Sequence, residues 1–413
     1  MSTRKEDLGE RPVFFARRLR PDVIDVISRA PQSWIEGSLG QIQGRIPEVG
    51  SPAEFKRASE DRWKSVSRFD ARDSKLAIVV PIHNEERSLR SFLEVLSTLN
   101  LPDSVRGEIM LVTNNCQDNS VALVQEFLNR IGSPVVEELP KLERDRQLDP
   151  IALSVRKGNL RFTHINTDKA GKANALSVAN DLAVRQGFDV LINSDANTYP
   201  EPDAIASLYG EARRNFEAEK AVLVWGLQSP SVRSSLDLSL GKFMGITPDS
   251  LRPAVKKTRP NGWLFAMDTA WIKGLKQFNG GVPPSAIEDF ALSIAARVTG
   301  GDLDIDYNAI THGFNPNKLS DDLVAVARYW RGVRQISSWG RDYARLIDQD
   351  NPDLADSLRV RFYRARQRVQ KGKRLAKIEF GRFLFYEAAI LKGKLDHFMN
   401  PTNQSWDEIK STK

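Results

Sequence analysis

The sequence predicts an α/β protein built on a mainly parallel, Rossmann-like sheet flanked by helices. Three observations carry that expectation. Short apolar runs rich in β-branched residues stand at Leu76–Pro81, Glu108–Thr113 and Asp189–Asn193. Stretches with apolar residues at helical spacing separate them, and a polar cluster closes each run. Runs of this length suit strands buried on both faces, and strands alternating with helices give right-handed crossovers and a parallel sheet. Ligands of such sheets bind beyond the carboxyl ends of the strands, where the polar clusters stand.

Leu76-Ala-Ile-Val-Val-Pro81 is the first strand, and Leu89, Phe92, Leu93 and Leu96 mark one face of the helix behind it. Glu108-Ile-Met-Leu-Val-Thr113 is the second, followed by a helix with Val121, Val124, Phe127 and Leu128 inward. Asp189-Val-Leu-Ile-Asn193 is a further strand running into Ser194-Asp195-Ala196-Asn197. Past about Asn315 the strand signals fade, and Asp321–Leu346 and Asp353–Leu395 read as helices. Residues 1–72 are polar, with turn signals at Pro21, Pro31, Pro47 and Pro52. The chain thus divides into an N-terminal extension (1–72), an α/β domain (73–315) and a helical C-terminal region (316–413).

Composition narrows the function classes. A 413-residue chain that is 41% apolar and 27% charged is ordinary for a folded globular protein. Its one cysteine, Cys116, excludes an intramolecular disulfide and fits a reducing compartment. The first twenty residues hold no apolar stretch of a secretory signal, and no run reaches the length of a bilayer span. The expectation is a cytoplasmic protein, soluble or peripheral at the inner face of a membrane. Charge is unevenly placed: Arg359–Arg382 holds ten Lys/Arg and one acid, a local charge of +9 against +7 for the whole chain. The remainder is slightly acidic, which argues against a nucleic-acid-binding core.

Four polar clusters carry the chemistry. Pro81-Ile82-His83-Asn84-Glu85 follows the first strand, where exposed Asn and Glu side chains reach a base or ribose or, more blandly, cap a helix. Asn114-Asn115-Cys116-Gln117-Asp118 follows the second, a turn composition whose amides and carboxylate also suit the edge of a base. Asp168-Lys169-Ala170-Gly171-Lys172 opens a helix, where backbone N–H groups and a positive charge suit a diphosphate, with Lys172 as the contact. Asp195 and Asn197 close a strand with their side chains on one side, a pair of oxygens for a hard divalent cation.

In order and spacing these clusters resemble the inverting glycosyltransferase family 2, of GT-A fold, over roughly Lys75–Phe314. Two further segments extend the resemblance. Asn261-Gly262-Trp263-Leu264-Phe265-Ala266-Met267 is similar to the family's glycine-bearing segment beside donor and acceptor, and Ile287-Glu288-Asp289-Phe290 to its catalytic acidic motif. The resemblance implies Asp289, with Glu288, as catalytic residues. It implies Pro81, His83, Asn84, Glu85, Asn114, Asn115, Asp118, Lys172, Asp195, Gly262 and Trp263 around a nucleoside-diphosphate sugar. It implies a divalent Mn or Mg at Asp195 and Asn197, with His312 as a third ligand.

The departures matter. Asn114 stands where the family carries an aspartate, and Asn197 offers an uncharged oxygen in place of a carboxylate. The processive enzymes' Q-x-x-R-W signature is missing, and Arg328-Tyr-Trp-Arg-Gly-Val-Arg-Gln335 reads as helix packing with exposed arginines. The implied activity is single sugar transfer to a hydroxyl of a glycan, a lipid-linked acceptor or a small molecule, with inversion. Two rivals stand beside it: a sugar-phosphate nucleotidyltransferase, which would want a glycine-rich loop where His83-Asn84-Glu85 stands, and a non-catalytic nucleotide-sugar or membrane-surface binding module. Residues 359–382 suggest weak association with anionic membranes. The stripe Phe380, Phe383, Leu384, Ala388 and Leu391 beyond them reads as core.

Overall fold

The computed structural model describes residues 74–99, 101, 105–139, 151–201, 203–230, 262–275, 285–313, 319–350 and 376–399. The expected N-terminal extension and most of the basic segment, 359–375, lie outside these residues. In chain order the elements are β1 (Ser74–Ile82), α1 (Glu86–Ser97), β2 (Val105–Asn114), α2 (Ser120–Ile131), β3 (Val135–Glu138), β4 (Ile151–Lys157) and β5 (Leu160–Thr167). There follow α3 (Lys172–Arg185), β6 (Val190–Ser194), β7 (Thr198–Pro200), α4 (Ala204–Glu217), β8 (Leu223–Pro230), β9 (Leu264–Asp268) and α5 (Thr269–Gly274). The rest are α6 (Glu288–Val298), β10 (Leu303–Gly313), α7 (Leu319–Ser337), α8 (Arg341–Asp350) and α9 (Ala376–Met399).

The strands form one ten-stranded sheet in the order β3-β4-β5-β2-β1-β6-β9-β8-β10-β7. The centre, β5-β2-β1-β6, is parallel throughout. Strands β4, β9 and β7 run against it, so the sheet is mixed while most of its strands share one direction.

The apolar runs explain why the centre is buried on both faces. Leu76, Ile78, Val80 and Ile82 of β1 point into one cluster with Leu89, Phe92 and Leu93 of α1, Val124 and Phe127 of α2, and Leu208 of α4. Ala77 and Val79, one residue out of step, point into the opposite cluster with Leu176 and Leu182 of α3, Ile272 of α5 and Leu292 of α6. Period-two alternation with no polar face is the signature of such a sheet.

A third cluster joins α6 to the helical region: Ile287, Phe290 and Ile294 pack with Val333 and Ile336 of α7 and with Tyr343 and Ile347 of α8. Helix α6 is therefore held between the sheet and the C-terminal helices. The helix expected over Asp321–Leu346 is divided: α7 ends at Ser337 and α8 begins at Arg341. Gly340 stands in the break at φ 156°. The stripe expected as core is also corrected. Leu384, Ala388 and Leu391 of α9 are exposed, and Ala389 and Ile390 are the buried residues. Among the described residues no helix is long and apolar enough to cross a membrane.

Candidate active site

Parallel strands bring the loops after β1, β2, β5 and β6 to one edge of the sheet. The first two loops are stitched together by backbone-directed side chains. Asn84, at φ 53°, accepts through Oδ1 from Gln117 N at 2.7 Å. Asp118 accepts from Ser120 N and from Glu86 N, both at 3.0 Å, and Glu86 accepts in turn from Asn119 N at 2.9 Å. His83 Nδ1 meets the Asn114 carbonyl oxygen at 2.7 Å, the geometry of a ring N–H donating. Pro81 sits within β1, in register with Val112.

Glu85 differs from expectation. It is buried at 2% exposure, with Ser88 Oγ donating to its carboxylate at 3.1 Å, so it is not an open ligand for a ribose. Its backbone N–H donates to Ser120 Oγ at 2.8 Å, tying α1 to α2. Its charge, after burial, helps push the Tyr199 phenol up to about 12.

Asn114 is fully buried, and its amide addresses the next loop. Nδ2 donates to Lys169 O at 2.7 Å and to Gly171 O at 3.1 Å, while Oδ1 accepts from Gly171 N at 3.1 Å. Gly171 stands at φ 110°, a conformation open to glycine, and caps α3, whose first residue is Lys172. The β2 end thus fixes where α3 begins. Asn115, at φ 45°, donates its backbone N–H to Thr167 O at 2.8 Å and closes the same junction.

Strand β9 runs against β6, pairing Leu264 with Ser194, so Gly262 and Trp263 lie beside Asp195. The Asp195 N–H donates to Trp263 O at 3.0 Å, and the Asp195 carbonyl accepts from Thr198 N and Oγ1 at 3.2 and 2.9 Å. A tight turn through Asn197 results. A Cβ built on Gly262 would come 2.9 Å from Lys172 Nζ, 3.2 Å from Glu288 Oε1 and 3.5 Å from Asp289 Cγ. One built on Gly313 would meet the Trp263 ring at 2.6 Å, which places Trp263 across the end of β10.

Four sequence-distant motifs therefore converge on one ammonium. Lys172 Nζ lies 2.6 Å from Asp195 Oδ1, 2.5 Å from Glu288 Oε1 and 3.3 Å from Gly262 O. Burial alone would lower the lysine, but Asp195, Glu288 and Asp289 together hold it above the ordinary range. Burial raises the Asp195 carboxyl, opposed by Lys172. Burial and then the Glu288 charge push Asp289 up to about 7. Glu288 and Asp289 lie in the first turn of α6, after Ile287 as N-cap, so neither caps the helix. Acids in a first turn are favoured by the helix dipole.

Glu201 escapes the sequence reading, and the arginines of α7 depart from it. His312 on β10 pairs with Tyr199 in register, and its Nε2 meets Glu201 Oε1 at 2.9 Å. Glu201 is the carboxylate this histidine addresses, and only the β7–β10 pairing reveals it. Arg328 on α7 acts favourably on the Asp195 charge, and Arg331 is buried at 2% exposure. The expectation of exposed arginines holds for Arg334 and fails for Arg331, because α7 turns that side toward the Ser285–Ile287 segment. There Gln335 Oε1 accepts from Ala286 N at 3.0 Å and Gly332 O accepts from Ser285 Oγ at 3.5 Å.

No family model matches the sequence, and no curated protein matches it. Among solved structures, the chain is similar to a mannosyltransferase, PcManGT from Pyrobaculum calidifontis, solved with GDP-Man and Mn2+, at 13% identity and a TM-score of 0.42 over 86% of this chain and 85% of that one. It is similar to glucosyl-3-phosphoglycerate synthase from Mycobacterium tuberculosis, solved with Mn2+, UDP and glucosyl-3-phosphoglycerate, at 15% identity and 0.34 over 69% and 84%. TarS of S. aureus gives 13% and 0.34 over 63% of this chain and 39% of that one. Likeness at this level assigns neither donor nor acceptor.

Proposed function

We propose that this chain transfers a sugar from a nucleoside-diphosphate sugar to an acceptor hydroxyl, one residue at a time and with inversion. One observation carries the proposal. The lysine, the strand-end aspartate, the glycine segment and the acidic pair that together resemble family 2 glycosyltransferases meet around one ammonium at the carboxyl edge of the sheet. A sequence resemblance scattered over more than a hundred residues has no reason to condense into one buried group unless the motifs act together.

The residues fit a divalent cation. Three carboxylates, those of Asp195, Glu288 and Asp289, face a single ammonium, and burial makes the excess negative charge costly. Among the described residues no three His, Cys, Asp or Glu side chains form a closed metal cage. An ion held by one or two side chains and completed by diphosphate oxygens needs none. Asp195, with Asn197 in the same turn, would hold Mn or Mg, which when bound supplies positive charge to the departing diphosphate. His312, the third ligand the resemblance implies, meets Glu201 through Nε2.

This chain's own groups do the rest. Lys172 presents a permanent positive charge to the diphosphate as negative charge grows on it. Glu288 anchors that ammonium together with Asp195. Asp289, partly open to solvent and raised toward neutrality, accepts the proton of the attacking acceptor hydroxyl. Attack from the face opposite the leaving group inverts the anomeric centre. Asn84, Asn115 and Trp263 are the remaining side chains at the nucleotide and sugar positions.

The test is a panel of nucleotide sugars with Mn, read as release of nucleoside diphosphate, run beside Asp195→Asn. Release from one donor, lost in the variant while its fold persists, is the expected result. No release from any donor, together with no thermal stabilisation by any nucleotide, would overturn it. Stabilisation without release would favour the binding-module reading.

A further inference from the structure

Helix α9 carries two apolar faces, and among the described residues one is buried and the other exposed. At about 100° per residue, Ala389, Ile390 and Gly393 share a side. Ala389 and Ile390 are buried, and a Cβ on Gly393 would stand 2.6 Å from Ala327 O and 3.0 Å from the Trp330 Cβ of α7. That side is pressed onto α7. The opposite side presents Leu384, Ala388, Leu391, Leu395 and Phe398, in alternating steps of four and three residues. All are exposed: Leu384 at 53%, Leu391 at 60%, Leu395 at 55% and Phe398 at 81%.

We propose that this row is a self-association seam, occupied by α9 of a second copy of the chain. Steps of four and three average 3.5 residues, the period at which a helix keeps one stripe facing a partner helix. The row spans about 80° of the helix, and Met399, 79% exposed, stands beside its C-terminal end. A helix lying in a lipid surface presents a broader apolar face. Here Glu387 and Lys394 flank one side of the row and Lys392 the other.

Those flanking charges complement themselves. In heptad terms Leu384, Leu391 and Phe398 occupy d, Ala388 and Leu395 occupy a, Glu387 and Lys394 occupy g, and Lys392 occupies e. In a parallel pair Glu387 faces Lys392 of the second copy; in an antiparallel pair it faces Lys394 of the second copy. Either way a two-fold axis generates the contact twice, as an isologous interface requires. Ala388, small and central, lets the helices approach. The seam lies on a helix outside the sheet and stands independently of the proposed activity.

The experiment is sedimentation velocity on the full chain over a wide concentration range. Wild type is compared with Leu391→Glu/Leu395→Glu and with a charge series, Glu387→Lys alone and Glu387→Lys combined with Lys392→Glu and Lys394→Glu. The expected result is a wild-type dimer that dissociates on dilution, a monomeric double-glutamate variant with unchanged far-ultraviolet circular dichroism, weakened dimer with Glu387→Lys, and recovery in the triple reversal. If the double variant fails to fold, the charge series decides. A wild type monomeric at every concentration, or a dimer indifferent to both sets, overturns the proposal. So does a monomeric wild type whose α9 leucines are needed to float with phosphatidylglycerol vesicles, which would make a lipid surface the occupant.

Discussion

The side chain of Asn114 holds the backbone of Gly171 by both of its polar ends, Oδ1 accepting from the glycine N–H and Nδ2 donating to its carbonyl, each at 3.1 Å. A further donation to Lys169 O at 2.7 Å completes the contact. An aspartate could make the first bond only, and its second oxygen would face two carbonyls. The asparagine that looks like a departure in a nucleotide-reading motif is thus the residue that sets the start of α3, and with it the position of Lys172.

The consequence is measurable in Asn114→Asp. Two buried bonds are lost and acceptor is set against acceptor, so unfolding free energy falls by roughly 1–3 kcal/mol per orphaned group. Chemical denaturation reads this directly. A variant as stable as wild type that has altered nucleotide preference would return Asn114 to base recognition.

Much of the scaffold is legible in the sequence because its central strands are buried on both faces. β1, β2 and β6 are continuous apolar runs short enough to read as strands buried on both faces. β10 is not legible: Leu303–Gly313 mixes Asp, Tyr, Asn and His with apolar residues, and a register shift between Asp306 and Ile310 breaks its alternation. β3 escapes for a different reason: it is an edge strand with Val135 and Val136 at 59% and 63% exposure and no buried face to pattern it.

The site divides the same way. Lys172, Asp195, Gly262 and the Glu288-Asp289 pair are visible as residue types in order. That one ammonium bridges two carboxylates is a product of β6–β9 register and α6 packing, which no local string encodes. Arg331 is hidden for the converse reason. A basic residue every third or fourth position on a helix looks solvated until another segment covers one side.

Replacing Lys172 by Met keeps much of its volume and removes the buried ammonium from among three carboxylates. Breaking such a buried pair costs about 3–5 kcal/mol. Because the excess negative charge grows, added Mn should raise the melting temperature of Lys172→Met more than that of wild type. Equal responses of the two proteins would separate the carboxylate cluster from the metal.

Gly262→Ala tests the crowding around that ammonium. The added methyl falls 2.9 Å from Lys172 Nζ and 3.2 Å from Glu288 Oε1, both ends of side chains that are free to swing only by giving up their ion pair. The fold should lose about 1 kcal/mol or less. Displacing a positioning charge by about an ångström can cost up to ~10²-fold in rate, so kcat should fall well beyond the stability change. Wild-type kcat in this variant would show that Lys172 does not need its present position.

Asp289, the proposed base, can be tested by its titration. Asp289 is raised to about 7 by burial and by the Glu288 charge, with Lys172 opposing. A base works in its deprotonated form, so kcat/KM should climb about tenfold per pH unit below that value and level off above it. The same shift has a stability sign. A carboxyl whose folded value lies above its unfolded value favours the fold in acid, and that contribution disappears as pH rises from the ordinary carboxylate range through about 7. Asp289→Asn removes both effects while keeping shape. Since Ile287 is the N-cap and the Asp289 backbone carbonyl, not its carboxylate, accepts from Ser293 Oγ at 2.8 Å, the helix keeps its bonds. The variant should therefore fold, retain nucleotide binding, transfer at least ~10²-fold more slowly and lose the acidic limb of the profile. A slow variant that keeps the limb would assign the titration to another group of the cluster. Transfer at the wild-type rate would leave Asp289 a first-turn acid and nothing more.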